Sequence, residues 1–261
     1  MKSNKNSQLQ KIKGLLKQLK LPTMAAQLEE IDRGFDQQQA SYYDFLEVLA
    51  EREVESRWNK RIGRYLKDSA LPSTKTFDTF ELNRLSQVIR RKIRDLRSGE
   101  FLNKRENVLA FGLPGRGKTH LLCALCNDLV QQGHRLKYVT AVDFVQQLLR
   151  AKNELSLQRL FKRLDRIEGI FIDDFGYVQY SREEMDVLFA FLAHRYERKS
   201  VILTSNLAFK DWGKIFKDEM TAAAAIDRLV HHSHILHLRG QSYRSKPSSS
   251  RRKSQTPTDD N

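Results

Sequence analysis

This 261-residue chain is poor in several things. It has two cysteines, Cys123 and Cys126, three positions apart, which is no disulfide framework. Its longest apolar run, residues 187–193, is far short of the ~20 residues a membrane-spanning helix needs. The opening Met1-Lys2-Ser3-Asn4-Lys5-Asn6 lacks the apolar stretch of a secretory signal. Acids are scarce as well: 32 Asp and Glu face 46 Lys and Arg, a net charge of +14. These shortages argue against a membrane-spanning chain and a disulfide-stapled secreted one. They lead us to expect a cytoplasmic protein with a polyanionic partner, most simply nucleic acid.

The cationic surplus is local. Residues 1–20 hold six Lys and no acid, and residues 57–67 hold Arg57, Lys60, Arg61, Arg64 and Lys67 with no acid. Residues 90–97 hold five bases against Asp95, and residues 239–253 hold six bases and no acid. These four stretches carry a net +21, so the remainder is net −7. One such run is usually a solvated helix face; four in one chain favour nucleic acid.

Apolar spacing predicts an all-helical region over residues 1–70, with a break at Pro22. Ser41, three residues before Asp44, is a variant capping box that opens its longest helix. After a linker the pattern changes. Short apolar runs at 108–111, 136–139, 169–172 and 201–203 alternate with helix-length segments at about 118–132, 142–152, 156–167 and 181–198. That alternation predicts an α/β fold, a parallel sheet in three layers, over residues 71–245. Residues 246–261, rich in Ser, Pro and charge, read as a disordered tail.

Gly112-Leu113-Pro114-Gly115-Arg116-Gly117-Lys118-Thr119 matches G-x-x-x-x-G-K-[ST] at every fixed position, between an expected strand and a helix opening at His120. Such a loop wraps a phosphate with backbone N–H groups, and glycine permits turns and close approach that a Cβ blocks. The helix N-terminus adds partial positive charge. Lys118 is placed for the β- and γ-phosphates of ATP and Thr119 for Mg²⁺. The expected strand 169–172 runs into Asp173 and Asp174, and Asp173 stands 54 positions after Thr119. Opposite a phosphate loop, Asp173 fits a holder of Mg²⁺ through its water, and Asp174 the residue that orients or deprotonates the attacking water. Val201-Ile202-Leu203-Thr204-Ser205-Asn206 is a second polar-ended strand, and Asn206 is either a water-positioning group or a turn residue. Arg228 is either a surface residue or an arginine finger acting on a neighbouring subunit's nucleotide.

These pieces, in this order, resemble AAA+ ATPases. With Asp227-Arg228-Leu229-Val230-His231-His232-Ser233-His234 and Gly240-Gln241-Ser242-Tyr243-Arg244, the chain resembles more narrowly the IstB-like ATP-binding family, helper ATPases of insertion-sequence transposition related to DnaC helicase loaders. The resemblance runs from about residue 10 to Lys246. It implies an ATP-dependent homo-oligomer that assembles on duplex DNA and delivers a cognate transposase to a target. Lys118, Asp173, Asp174, Asn206 and Arg228 are then the catalytic set. Residues 112–120 bind nucleotide, and Thr119 and Asp173 bind the metal. The second acid is Glu in many AAA+ proteins; Asp174 is one methylene shorter, which implies slow hydrolysis. About 20 residues follow His237, too few for a C-terminal lid domain. Lys152, Arg159 and Arg163, with Arg150, Lys162 and Arg166, occupy the region that faces the central channel in related loaders. Together with Arg57, Lys60, Arg61, Arg64 and Lys67 they are the expected DNA contacts. No groove-reading motif is present, so contact with phosphates and little base specificity are expected.

Three other features are read as structural. The Cys123-x-x-Cys126 pair lies on the helix after the phosphate loop and suits buried small residues. His231, His232, His234 and His237 have no accompanying carboxylate or Cys pattern that would mark a metal site. Phe77 and Phe80 are placed to approach a base from the linker but are more often core. A helicase loader is the alternative on the same fold, and the 57–67 run favours the transposition helper. A small-molecule kinase would need an acceptor pocket and no cationic arms.

Overall fold

A computed structural model of the chain describes residues 2–35, 41–176, 181–208, 211–212 and 219–239. The expected disordered tail, and the motif at 240–244, lie outside the described residues. The chain forms two compact units, residues 1–64 and 65–261. Among the described residues, no helix is long and apolar enough to cross a membrane.

The first unit is helical: α1 (Lys2–Gln18), α2 (Pro22–Phe35) and α3 (Tyr42–Ser69), which runs on past residue 64. Met24, Leu28 and Leu49 form its small core with Leu9, Leu16 and Phe45. Ser41 and Asp44 exchange reciprocal hydrogen bonds at 2.9 and 3.2 Å, the expected capping box. The first N–H groups of a helix have no partner within it. Here buried Glu53 of α3 accepts from Thr23 N and Met24 N of α2 at 2.7 and 3.0 Å.

In the second unit five strands form one parallel sheet, ordered β2-β3-β4-β1-β5. They are β1 (Asn107–Phe111), β2 (Leu136–Thr140), β3 (Gly169–Phe175), β4 (Ser200–Ser205) and β5 (Ser233–His237). Helices cover both faces, and the two-residue side-chain period of β1 shows why. Leu109 and Phe111 enter one core, with residues of α7 (Ala141–Asn153), α8 (Leu157–Leu164), α9 (Arg182–Arg195) and α10 (Glu219–Val230). Val108 and Ala110 enter the other, with residues of α4 (Gln87–Leu96), α5 (Glu100–Asn103) and α6 (Lys118–Gln131). Strands that are apolar on both faces suit a doubly covered parallel sheet. Because β1 leads to α6 on one face while β4 leads towards α10 on the other, a crevice opens at their carboxyl ends, where open α/β sheets bind ligands.

Two elements differ from the sequence expectation. The apolar spacing of Leu82, Leu85, Ile89, Ile93 and Leu96 predicts one helix, but it begins only at Gln87: residues Leu82–Arg84 form a 3-10 turn, and Ser86 then caps α4 by accepting from Ile89 N. Strand β5 has no counterpart in the sequence reading. It is an edge strand, and His234 and His237 interrupt its apolar pattern.

One buried side chain ties the second unit together. Arg195, 1% exposed, donates from Nη1 to the carbonyls of Leu164 and Ile167 and from Nη2 to those of Glu168 and Ser200, at 2.9–3.3 Å. Burial pushes its guanidinium down to about 9, still charged at neutral pH.

Candidate nucleotide site

The crevice is a cavity of about 490 Å³ lined by Pro114, Gly115, Arg116, Gly117, Lys118, Thr119 and His120 of the loop, by Asp174 and Asn206, and by Lys75, Thr79, Phe80 and Glu81. Gly115 and Gly117 take positive φ of 78° and 80°, so the loop turns where an L side chain would be strained. Gly112 and Leu113 are outside the lining. A Cβ on Gly112 would meet the Leu238 carbonyl oxygen at 2.5 Å, so this glycine lets the loop leave β1 beside the segment that follows β5. Lys118, 6% exposed, donates from Nζ to the carbonyls of Gly112 (2.7 Å) and Leu113 (3.2 Å) and braces the loop from within.

Asp173 is buried outside the cavity lining, behind Thr119, and gathers three hydroxyl groups. Thr119 and Thr204 donate to its Oδ1 at 2.8 and 2.5 Å, and Tyr138 donates to its Oδ2 at 3.0 Å. The Tyr138 phenol is pushed up by burial first, then by the Asp173 charge and the hydrogen bond itself. The pairing of β3 with β4 shifts between Ile172 and Phe175, a bulge centred on the two acids. Asp174 there has φ of +56°, a left-handed conformation that Asp tolerates better than most residues. Its backbone N–H donates to Thr204 Oγ1 at 2.9 Å, and its side chain is turned out to the cavity. The bulge thus aims two consecutive acids at different places. Asn206 Oδ1 is buried at the cavity with no hydrogen-bond partner in the protein, an acceptor left open to an occupant.

Opposite the acids, His120 Nε2 lies 3.0 Å from Thr79 Oγ1 and 3.3 Å from the Thr76 carbonyl, and its ring meets Phe80 edge-on at 5.2 Å. Burial pushes this imidazole down, towards its neutral form. Phe77 is elsewhere, packed on the core beneath Arg97 at 4.7 Å. Sequence reasoning did not assign Tyr138, Thr204, Lys75, Thr79 or Glu81 to the site. Only their fold-determined proximity to motif residues marks them.

Arg228 does not join this cavity. Its guanidinium lies over Phe189 of α9 at 4.6 Å and donates to the Ala224 carbonyl. It shares a shallow depression with Asn107 and Val201, at the end of the sheet opposite the phosphate loop. Lys152, Arg159 and Arg163 are exposed on α7 and α8. Lys60, Arg61, Arg64 and Lys67 are exposed on α3, where Arg61 covers the Trp58 ring at 4.8 Å. Arg57 differs from them: it donates to Glu53 Oε1 at 2.8 Å and to the Lys20 carbonyl, and so joins elements of its own unit. Cys123 and Cys126 are buried free thiols; burial raises Cys123 to about 12 and pushes Cys126 well up as well.

The family model described as IstB-like ATP binding protein matches residues 14–251. The chain is 37% identical over 226 residues to the protein of Geobacillus stearothermophilus named as the ATP-binding protein of insertion sequence IS5376, covering 87% of this chain and 90% of that one. It is 35% identical over 232 residues to the corresponding insertion sequence IS21 protein of Pseudomonas aeruginosa, covering 89% and 88%. Among solved structures, the DnaC helicase loader superposes with a TM-score of 0.53 at 17% identity, over 67% of this chain and 99% of that one. That last likeness is one of fold.

Proposed function

Since the chain belongs to the IstB-like ATP-binding family and has its AAA+ P-loop fold, we propose that it is the ATP-hydrolysing helper of insertion-sequence transposition. On this reading it oligomerises on duplex DNA, selects a target with little sequence preference, and recruits or stimulates the cognate transposase. The observation that carries the proposal is the meeting of Thr119, which lines the cavity, and Asp173 at 2.8 Å, which sets the phosphate loop against the acidic strand.

Within that frame, loop residues 112–120 cradle the phosphates, with Lys118 leaving its carbonyl partners for the β- and γ-phosphates. Thr119 Oγ1 and Asp173 are hard oxygen donors that fit Mg²⁺. The ion would neutralise charge developing on the phosphates. Asp174, turned out to the cavity, orients or deprotonates the attacking water, and the open Asn206 Oδ1 accepts a hydrogen bond from it. The short reach of Asp174 supports slow hydrolysis that assembly or a partner speeds. Arg228, remote from its own cavity, suits a finger acting on the nucleotide of a neighbouring subunit. Residues 1–70 serve DNA binding and assembly, and residues 71–245 the ATPase.

The test is a comparison of duplex and single-stranded DNA binding by the full chain with a non-hydrolysable ATP analogue. The helper role predicts that duplex is preferred whatever its sequence. Preference for single strands, with a helicase co-purifying, would favour the loader instead.

A further inference from the structure

The histidines after Arg228 gain in the fold the carboxylate they lack in sequence. Glu197 follows α9, with φ of +55°, and its carboxylate meets His231 and His232 in the turn between α10 and β5. One ligand atom from each of the three lies within 4.8 Å of the other two. His232 Nε2 is 3.9 Å from Glu197 Oε1, and the two imidazole rings are 4.1 Å apart between centroids. The Tyr196 hydroxyl lies 2.8 Å from His231 Nδ1, which orients that ring. Among the described residues this is the one cluster in which three His, Cys, Asp or Glu side chains converge in this way. The other histidine pairs, His134–Glu168, His194–Asp165 and His234–Glu106, each offer a single carboxylate.

We propose that Glu197, His231 and His232 form a binding site for a divalent transition-metal ion of the zinc class, separate from the nucleotide cavity. Two imidazoles and a carboxylate suit Zn²⁺, Co²⁺ or Ni²⁺, whereas Mg²⁺ prefers an all-oxygen shell. Ligand bonds of about 2.0–2.2 Å to a tetrahedral ion bring donor atoms closer than 4.8 Å. All three side chains are exposed, so they close this gap by rotation without disturbing a core. The three ligands leave a fourth position for water. The ion joins the end of α9 to the end of α10, the two helices that carry Phe189 and Arg228. It thereby steadies the support of that arginine.

The experiment is calorimetric titration of Zn²⁺ into the full chain, free of any affinity tag and saturated with Mg²⁺ and ADP so that the phosphate loop is occupied. Co²⁺ absorption spectra report the coordination. The expected result is one saturable site. Affinity should fall at least about tenfold in His232→Ala and in Glu197→Gln and stay unchanged in His237→Ala, with nucleotide affinity intact in all three. Absence of saturable binding to the unaltered chain would overturn the proposal. So would equal affinity in the first two variants, or an equal loss in His237→Ala.

Discussion

At Asp173 one carboxylate receives three hydroxyl donors, from the first turn of α6 and from β2 and β4. Thr119 and Asp173 were legible in the sequence because the phosphate loop is contiguous and an acidic strand end stands out against apolar neighbours. Tyr138 and Thr204 were not: Thr204 reads only as part of a polar strand end and Tyr138 as one residue of a mixed strand, and only sheet order brings their hydroxyls to the acid. The same holds for the bulge at Asp174, which reading residue types in a row does not reveal. Tyr138 holds Oδ2 while Thr119 and Thr204 share Oδ1, so, on the metal-holding role proposed for Asp173, its hydroxyl keeps that carboxylate oriented. Tyr138→Phe removes one hydrogen bond to a charged group, worth about 1.5–3 kcal/mol. Nucleotide affinity in Mg²⁺ should therefore fall at least about tenfold. Affinity measured in a chelator should stay as it was, since a packing role alone would lower both.

At the scale of elements, most helices and four strands follow from apolar periodicity, because each has a core face on which its pattern repeats. Strand β5 escaped since it sits at the sheet edge, where one side of its backbone pairs and its residues alternate among Ser, His, Ile and Leu. The end of α9 conceals another non-local device. Arg195 serves four carbonyls from the α8–β3 connection and β4, and a lysine cannot reach them with one ammonium group. Arg195→Lys leaves buried acceptors unserved and should cost roughly 2–4 kcal/mol in denaturant unfolding. A change under ~0.5 kcal/mol would mean the cluster is not stabilising. On α3 the contrast between Arg57 and its neighbours sharpens the reading of charge. Arg57 is tied to Glu53 and Lys20, whereas Lys60, Arg61 and Arg64 present their charge outward. Neutralising those three should weaken duplex binding and flatten its log–log salt dependence by about 0.9 for each phosphate that is no longer neutralised. The same slope in the variant would mark them as a solvated face only.

For the whole molecule, the net charge of +14 divides between function and scaffold. The cavity is lined by its own acids and one buried lysine, while in the sequence most of the cationic excess falls in segments other than those that line it. Arg228 lies at the opposite end of the sheet from the cavity within one chain, so a finger role requires a second subunit. Family membership and fold supply the frame. Nucleotide-driven assembly on duplex DNA is the central claim built on it. Electron microscopy of the full chain on a long duplex of arbitrary sequence, with and without a non-hydrolysable ATP analogue, tests it most directly. Multi-subunit rings or filaments are expected on the DNA only with the analogue, abolished in Lys118→Ala. Scattered single subunits in both conditions, or assemblies that form equally without nucleotide, would contradict it.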